Sequence, residues 1–219
     1  MPQKVENRCG INISVLRCFI AFCVFKRNGK ETVVIMRKKL ENKIWYADYY
    51  RTTDDYDFVL SHFIRDFFFQ HRLRFMIVFR KAQSAKNKFT KLIYNFLLYR
   101  MSRKYGIEIK SMTKIGKGFC MIHPYNITVS PIAVIGDNVT MMKGSTVGIN
   151  ANAAPTIGNC VYIGLNSVVM GGIVVGDDVL IAPNTTVNVD VPSNSIVVGS
   201  PCKIIPKENP TKHYIWKKL

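Results

Sequence analysis

An aliphatic residue recurs every six positions through the second half of the chain, and this period constrains the fold more than any other feature. A six-residue period fits neither the 3.6-residue repeat of an α-helix nor the two-residue alternation of a long strand. It predicts a β-solenoid with three short strands in each turn of about eighteen residues. The thirteen periodic residues, which we expect to point inward, are Ile109, Ile115, Met121, Ile127, Ile135, Met141, Val147, Ile157, Ile163, Val169, Val175, Ile181 and Val187.

The residues between the periodic positions favour tight corners. Gly, Asn and Asp recur there, and these residues suit turns and left-handed backbone geometry. The period breaks twice: residues 127–134 hold two extra residues before Ile135, and residues 148–156 make a longer excursion before Ile157. Segments that leave a regular scaffold often carry function, so both breaks are candidate site loops.

Composition excludes several classes of protein. The 219 residues are 48% hydrophobic, which indicates a folded chain. The six cysteines form no C-x-x-C pair and no Cys/His cluster at zinc spacing, so they predict free thiols in a reducing compartment and no structural metal.

The positive charge belongs to the first half of the chain. The net charge is +17, and residues 1–105 contribute 22 Lys and Arg against 8 Asp and Glu. Such a balance favours anionic partners: nucleic acid, an acidic membrane surface or a phosphate-rich substrate. No RRM, KH or zinc-finger pattern accompanies the charge, so we do not expect a nucleic-acid partner.

The first half divides into an unassigned extension (1–45) and a basic helical region (46–105). They precede the solenoid domain (106–205) and a tail (206–219). Within the extension, the apolar residues 11–25 predict either a core element or an interfacial anchor. They are too short to span a bilayer, and no signal-peptide cleavage site follows. Two apolar stripes at helical spacing predict helices that pack together on the solenoid or rest on an anionic membrane. The stripes comprise Phe58, His62, Phe63, Phe67 and Phe68, then Leu92, Ile93, Phe96, Leu97 and Tyr99.

The segment 106–140, GIEIKSMTKIGKGFCMIHPYNITVSPIAVIGDNVT, carries a family resemblance together with the later GSPCKI. The chain resembles the left-handed β-helix acyltransferases, and within them the serine acetyltransferase branch, over roughly residues 46–207. That branch reads G-[VI]-[DE]-I, then K-I-G-x-G, a histidine and A-V-I-G-x-N-V. Residues 46–83 are also similar to relatives acting in surface-polysaccharide synthesis. The resemblance implies a mainly β fold, a left-handed parallel β-helix with an N-terminal α-helical region.

The resemblance assigns catalytic roles to two residues. His123 matches the general base that takes the proton from an acceptor hydroxyl as its oxygen attacks the thioester of acetyl-CoA. Glu108 matches the carboxylate that orients this base, although most serine acetyltransferases have Asp there. Since fifteen residues is nearly one turn, we expect Glu108 and His123 to lie on adjacent turns within side-chain reach.

The resemblance also implies acetyl-CoA as co-substrate and a homotrimer. In the family the pantetheine arm lies in a groove between subunits and contacts mostly backbone, and a basic residue meets the cofactor phosphates. The matching positions are Gly148, Ile149, Gly164, Leu165, Ala182, Pro183 and Lys203.

Two departures bear on the acceptor. Ile122 stands where serine acetyltransferases have an aspartate before the base, and residues 153–155, Ala-Ala-Pro, stand where they have Arg-His-Pro. Both lost groups help to hold a charged amino acid. We therefore expect a sugar hydroxyl in surface-polysaccharide synthesis as acceptor. The enzyme would be cytoplasmic, and its basic helices would contact the inner face of an anionic membrane. The alternatives are serine O-acetylation for cysteine biosynthesis and a non-catalytic solenoid scaffold.

Overall fold

The computed structural model describes residues 43–53, 60–215 and 217. The predicted extension 1–45 therefore lies outside the described residues except for its last three, and its apolar stretch 11–25 lies wholly outside them. Phe58 and part of the predicted tail also lie outside the described residues. The described ranges contain four helices: α1 (Ile44–Thr52), α2 (Leu60–Phe69), α3 (His71–Ser84) and α4 (Lys88–Tyr105).

The described strands are all short. They are β1 (Ile107–Ile109), β2 (Lys114–Ile115), β3 (Cys120–Ile122), β4 (Ile127–Val129), β5 (Val134–Ile135), β6 (Thr140–Met142), β7 (Thr146–Gly148), β8 (Thr156–Ile157), β9 (Tyr162–Ile163), β10 (Val168–Met170), β11 (Val174–Val175), β12 (Val179–Ile181), β13 (Thr186–Val187), β14 (Ser195–Val198) and β15 (Lys203–Pro206).

These strands stack into three parallel sheets that form a solenoid. Sheet A has the order β1-β4-β7-β10-β13, sheet B has β2-β5-β8-β11, and sheet C has β3-β6-β9-β12-β14-β15. Strands β1 to β10 each pair with the strand three places later, so one strand from each sheet makes one coil, and β12 pairs with β14. The fifth coil meets sheet B through a single bridge between Val175 and Val191. Among the described strands only β15 reverses direction, pairing antiparallel with β14.

The six-residue period forms the core as predicted. All thirteen periodic residues are buried. On sheet A, Val129, Val147, Val169 and Val187 lie in register on successive coils. The step from Val129 to Val147 is the eighteen residues expected of a regular coil. The parallel β-solenoid and its inward aliphatic ladder are therefore confirmed.

The first break in the period lies elsewhere than the sequence suggested. The prediction placed two extra residues after Ile127, but Val129 is the residue in register with Ile109 and Val147. From Val129 to Ile135 the spacing is the regular six. The additional residues therefore precede β4, at the corner that follows β3. The prediction was wrong because Ile127 and Val129 both face inward on one strand, so spacing alone could not distinguish them.

The second break is a loop, as predicted. Strand β7 ends at Gly148 and β8 begins at Thr156. Between them an antiparallel bridge joins Asn150 to Ala153. The loop leaves the coil between sheets A and B.

At the corner between sheets B and C, the same hydrogen bond from a backbone amide to a side-chain oxygen of the next coil recurs on successive coils. The Asp137 carboxylate accepts from the Lys117 amide, the Asn159 side chain from the Asp137 amide, and the Asp177 carboxylate from the Asn159 amide. Ser193 ends the series by accepting from the Asp177 amide at 2.9 Å. These side chains satisfy backbone donors that the corner would otherwise leave unpaired.

Helix α3 covers the first coil. Its buried Phe75 and Phe79 join one hydrophobic core with Ile107, Phe119 and Met121 of that coil. The open end of a solenoid exposes its inward aliphatic residues, and stable solenoids cover this end. The helical region therefore caps the β-helix.

A buried ion pair fixes this cap. Arg80 of α3 bonds to Asp48 of α1 at 2.8 Å, and both side chains are almost fully buried. Arg80 also donates to the carbonyl of Ile115 at 2.7 Å. Asp48 accepts from the backbone amide of Phe119 at 2.9 Å. One pair therefore ties two helices to the first coil.

We expect Asp48→Asn to lower the free energy of unfolding by about 3 kcal/mol, because it leaves the Arg80 charge buried without its partner. Chemical denaturation followed by circular dichroism measures this loss. The control Glu208→Gln makes the same kind of change at an exposed position and should shift stability by about 0.5 kcal/mol or less. Equal effects of the two substitutions would contradict a central role for the pair.

Candidate active site

The corner after β3 is enlarged and carries His123. Ile122 is in register with Met142 on the next coil. Three residues separate Ile122 from Asn126, whereas only Lys143 separates Met142 from Gly144; Asn126 and Gly144 both have positive φ. His123 itself has a φ of 50°, and its side chain is exposed. The two extra residues thus project an imidazole from an otherwise tight corner.

Glu108 lies on the outer face of sheet A, one coil below Thr128, its register partner. Its side chain is exposed. Strand β4 follows the His123 corner, so Glu108 lies one coil away from the strand that this corner precedes. Among the described residues no hydrogen bond or ion pair joins Glu108 to His123. Their predicted contact stays a prediction.

His71 of α3 supports the corner from beneath. Its ring stacks on Tyr105 with centroids 4.5 Å apart and lies 5.0 Å from Tyr125. It also hydrogen-bonds the backbone of Pro124, the residue after His123. Its Nε2 is buried and has no hydrogen-bond partner within the described part of the chain. The contacts of His71 with Pro124 and Tyr125 join residues more than fifty positions apart, so no local sequence pattern could reveal them.

The surroundings of His71 favour its neutral form. Burial lowers the pKa of His71 below its ordinary value of 6.5, and the neighbouring Arg74 and Arg72 cations lower it further. The hydrogen bond to Pro124 opposes this shift. The folded arrangement of the corner therefore favours the neutral form of His71 over the protonated form.

The corners between sheets C and A stack into one column. The Tyr125 carbonyl accepts from the Gly144 amide at 3.0 Å, and on the next coils the Lys143 and Leu165 carbonyls accept from the amides of Asn166 and Asn184. The His123 corner is thus the first member of a series that continues through Lys143 and Leu165 to Pro183. Lys143 is exposed. The six-residue pattern did not single it out.

Five of the seven predicted cofactor positions belong to this column. Gly164 and Leu165 follow β9, and Ala182 and Pro183 follow β12. Lys203 pairs with Val198 of the last coil and is exposed at the end of the same column. The structure therefore places the predicted base and these positions along one edge of the prism.

Gly148 and Ile149 lie at the opposite edge of sheet A. Gly148 ends β7 in register with Met170, and the exposed Ile149 begins the loop toward sheet B. Within one protomer the width of sheet A separates them from the His123 column.

The glycines at these positions have different roles. A Cβ on Gly164 would approach the backbone nitrogen of Pro183 to 2.6 Å, so stacking of the coils requires glycine there. A Cβ on Gly148 would meet only the Thr146 methyl carbon at 3.7 Å. Packing of the chain does not require glycine at 148, and the space beside it is open.

The two departures from the family pattern are also visible. Ile122 is half-buried beside the base, with no polar side-chain atom to offer an acceptor. The loop segment 153–155 is apolar, with its proline buried. The described residues contain no group of His, Cys, Asp and Glu that could hold a metal ion.

Comparison with known proteins agrees with this architecture. Residues 154–188 match the family described as bacterial transferase hexapeptide (six repeats). The chain is similar to Serine acetyltransferase 1, chloroplastic, of Arabidopsis thaliana, at 34% identity over 139 residues. The match covers 61% of this chain and 44% of the relative, so the chain spans less than half of that curated protein.

Solved structures show the same fold. The serine acetyltransferase of Brucella abortus strain S19 superposes with a TM-score of 0.66 at 25% identity, covering 81% of this chain and 73% of that one. The same enzyme in complex with coenzyme A gives a TM-score of 0.63 at 24% identity, over 81% and 72%. The left-handed parallel β-helix with N-terminal helices is confirmed, as is the resemblance to hexapeptide-repeat serine acetyltransferases.

We expect His71→Gln to change how stability depends on pH. Because folding lowers the pKa of His71, the unfolded chain binds its proton first. The wild-type protein should lose unfolding free energy as pH falls below 6.5, until the folded-state pKa is passed. Denaturation at about pH 7.5 and about pH 5 should show a smaller loss for His71→Gln. The exposed-site control His213→Gln should keep the wild-type dependence, and parallel curves for all three proteins would refute the assignment.

Proposed function

We propose that the chain is an acetyl-CoA-dependent O-acetyltransferase in which His123 is the general base. The observation that carries this proposal is the enlarged corner: two extra residues expose one imidazole on the column that holds five of the predicted cofactor positions. The similarity to serine acetyltransferases supports the same chemistry. A scaffold without activity would not need this exposed base.

The proposed reaction is a direct acyl transfer. The imidazole of His123 takes the proton of the acceptor hydroxyl as that oxygen attacks the thioester carbonyl of acetyl-CoA. The bond from the carbonyl carbon to sulfur breaks, and the departing coenzyme A thiolate receives the proton from the imidazolium. Glu108 would orient the imidazole and stabilise its charged form once substrates draw the two side chains together. The exposed Lys203 would meet the phosphates of acetyl-CoA.

L-Serine is the acceptor that the similar proteins support best. The curated relative and both solved structures are serine acetyltransferases. This support is stronger than that for the sugar acceptor expected from the sequence. We therefore propose serine O-acetylation as the first activity to test.

A sugar hydroxyl is the second candidate, and a specific observation favours it. The half-buried Ile122 and the apolar segment 153–155 leave the corner without two groups that would recognise a charged amino acid. A neutral acceptor does not require them. Its class would be a nucleotide sugar or a lipid-linked glycan precursor of surface polysaccharide.

We also propose that the working unit is a homotrimer in the cytoplasm. Gly148 and Ile149 lie across sheet A from the His123 column within one protomer. A groove between two copies would bring one edge of each prism together and unite both sets of residues. Peripheral contact with an anionic membrane belongs to the same proposal.

We expect His123→Ala to reduce thiol release from acetyl-CoA by about a thousandfold, since general-base catalysis contributes about that much. Glu108→Gln should reduce it less, because the base remains. The assay offers L-serine and nucleotide sugars separately, and His213→Ala serves as the control at an exposed histidine. Full activity of His123→Ala with any accepted substrate would refute the assigned base.

The same assay identifies the acceptor of the acetyl group. Serine-dependent release that His123→Ala abolishes would establish serine O-acetylation. Release that depends only on a sugar would establish the second candidate. A protein that does not bind coenzyme A at all would overturn both and favour the non-catalytic scaffold.

We expect Gly148→Val to raise the KM for acetyl-CoA about tenfold or more, because the added methyl groups fill space that the protein itself leaves open. The unfolding transition should not change, since nothing but a methyl carbon stands nearby. Gly164→Ala is the contrasting variant: its Cβ meets backbone, so it should lower stability. An unchanged KM for Gly148→Val would remove this position from the cofactor groove.

A further inference from the structure

Helix α4 presents a large face that the described protein leaves uncovered. Only Leu98 of its eighteen residues is buried. Phe89, Leu92 and Phe96 recur at helical spacing and are 70%, 66% and 57% exposed. Soluble proteins rarely leave such a contiguous set of large apolar side chains in water, so this face indicates a contact.

The same face becomes basic along the helix. Arg100 and Arg103 follow Phe96 at the same helical spacing, and both are exposed, as is the neighbouring Lys104. We call the six residues Phe89, Leu92, Phe96, Arg100, Arg103 and Lys104 the α4 face. About two turns of apolar side chains therefore precede about one turn of cations on one side of the helix.

No carboxylate offsets this charge locally. From residue 67 to residue 107 the sequence contains ten Lys and Arg and no Asp or Glu. Arg80 is the one cation of this group in an ion pair among the described residues, through its contact with Asp48. The α4 face therefore carries net positive charge that an anionic partner could neutralise.

The end of α2 lies beside the end of α4. Arg74 donates to the backbone carbonyls of Phe67 and Phe68 and, at 3.4 Å, to the hydroxyl of Tyr105 at the end of α4. This bridge holds the end of α2 beside the basic end of α4. Phe69, the last residue of α2, is 82% exposed. The helix beside this end of α4 thus also exposes an aromatic side chain.

Charge argues against a second copy of α4 as the partner. Two α4 faces packed in parallel about a two-fold axis would bring their arginines and lysines together, and an antiparallel pair would set the cations of one copy against the apolar side chains of the other, with no carboxylate in either contact. An anionic bilayer satisfies both parts of the surface: aromatic and leucine side chains enter the interface while the cations meet phosphate headgroups. None of the described helices is long and apolar enough to cross a membrane, so this contact would lie along the surface.

We propose that the α4 face docks the protein on the surface of an anionic lipid bilayer. The apolar turns around Phe89 and Phe96 insert at the level of the headgroups. Arg100, Arg103 and Lys104 bind lipid phosphates. The contact is independent of acetyl transfer, so it can be tested without an activity assay.

The test is sedimentation of the full-length protein with vesicles. One set contains phosphatidylcholine alone, and the other contains equal parts of phosphatidylcholine and phosphatidylglycerol. We expect binding to the anionic vesicles only, and weaker binding as salt is raised. Phe89→Ser with Phe96→Ser should weaken binding about tenfold or more, because both rings leave the interface. Replacing Arg100, Arg103 and Lys104 by Ser should weaken it about a hundredfold.

Matched controls remove the same numbers of apolar side chains and cations from the solenoid. Val189→Ser with Ile205→Ser removes two exposed apolar side chains, and replacing Lys114, Lys117 and Lys207 by Ser removes three exposed lysines. Both controls should bind anionic vesicles within about twofold of the wild-type protein. Circular dichroism of every variant verifies that it is folded.

Three outcomes would overturn the proposal. The first is wild-type binding by both α4 variants. The second is a smaller oligomer for the Phe89 and Phe96 variant in light scattering, with lipid binding unchanged, because the face would then be a subunit contact. The third is tight binding of duplex DNA or RNA that needs the three cations but neither phenylalanine, because the surface would then recognise nucleic acid.

Discussion

Parallel pairing between successive coils is the interaction on which the rest of the structure depends. Each strand of two to four residues is too short to be stable alone, and it gains its hydrogen bonds only from the coils above and below. Register is held because one aliphatic side chain in each strand must face inward. The corners therefore stack as well, and a residue inserted at one corner projects outward without disturbing the core. His123 stands at such an insertion.

The sequence predicted the coils of the solenoid well and the position of the insertions between its strands less well. The period from Ile109 to Val187 was sufficient to predict the solenoid, because each member is a separate inward position. The first insertion was misplaced because Ile127 and Val129 occupy one strand at a spacing of two, and both are buried. Only the pairing of Val129 with Val147 resolves the choice. A period identifies the core more reliably than it locates an interruption.

The support beneath the candidate site could not be predicted. His71 meets Pro124 and Tyr125, and Asp48 meets the amide of Phe119, through contacts between the helical region and the first coil. Such contacts depend on how two elements pack and leave no local pattern. The family resemblance supplied His123 and Glu108 but gave no role to the helices. In the structure those helices cover the first coil and hold the corner that projects the base.

The reversal of β15 closes the other end of the solenoid. Parallel coils could in principle continue indefinitely, and a bare terminal coil would offer its backbone to any similar edge. Here β15 folds back antiparallel over β14, and Pro206 at its end cannot donate a backbone hydrogen bond. With helices over one end and a reversed strand over the other, the prism has a fixed length. On this sheet a further parallel coil can no longer pair with β14, so the chain itself limits how far its repeated strand geometry can extend.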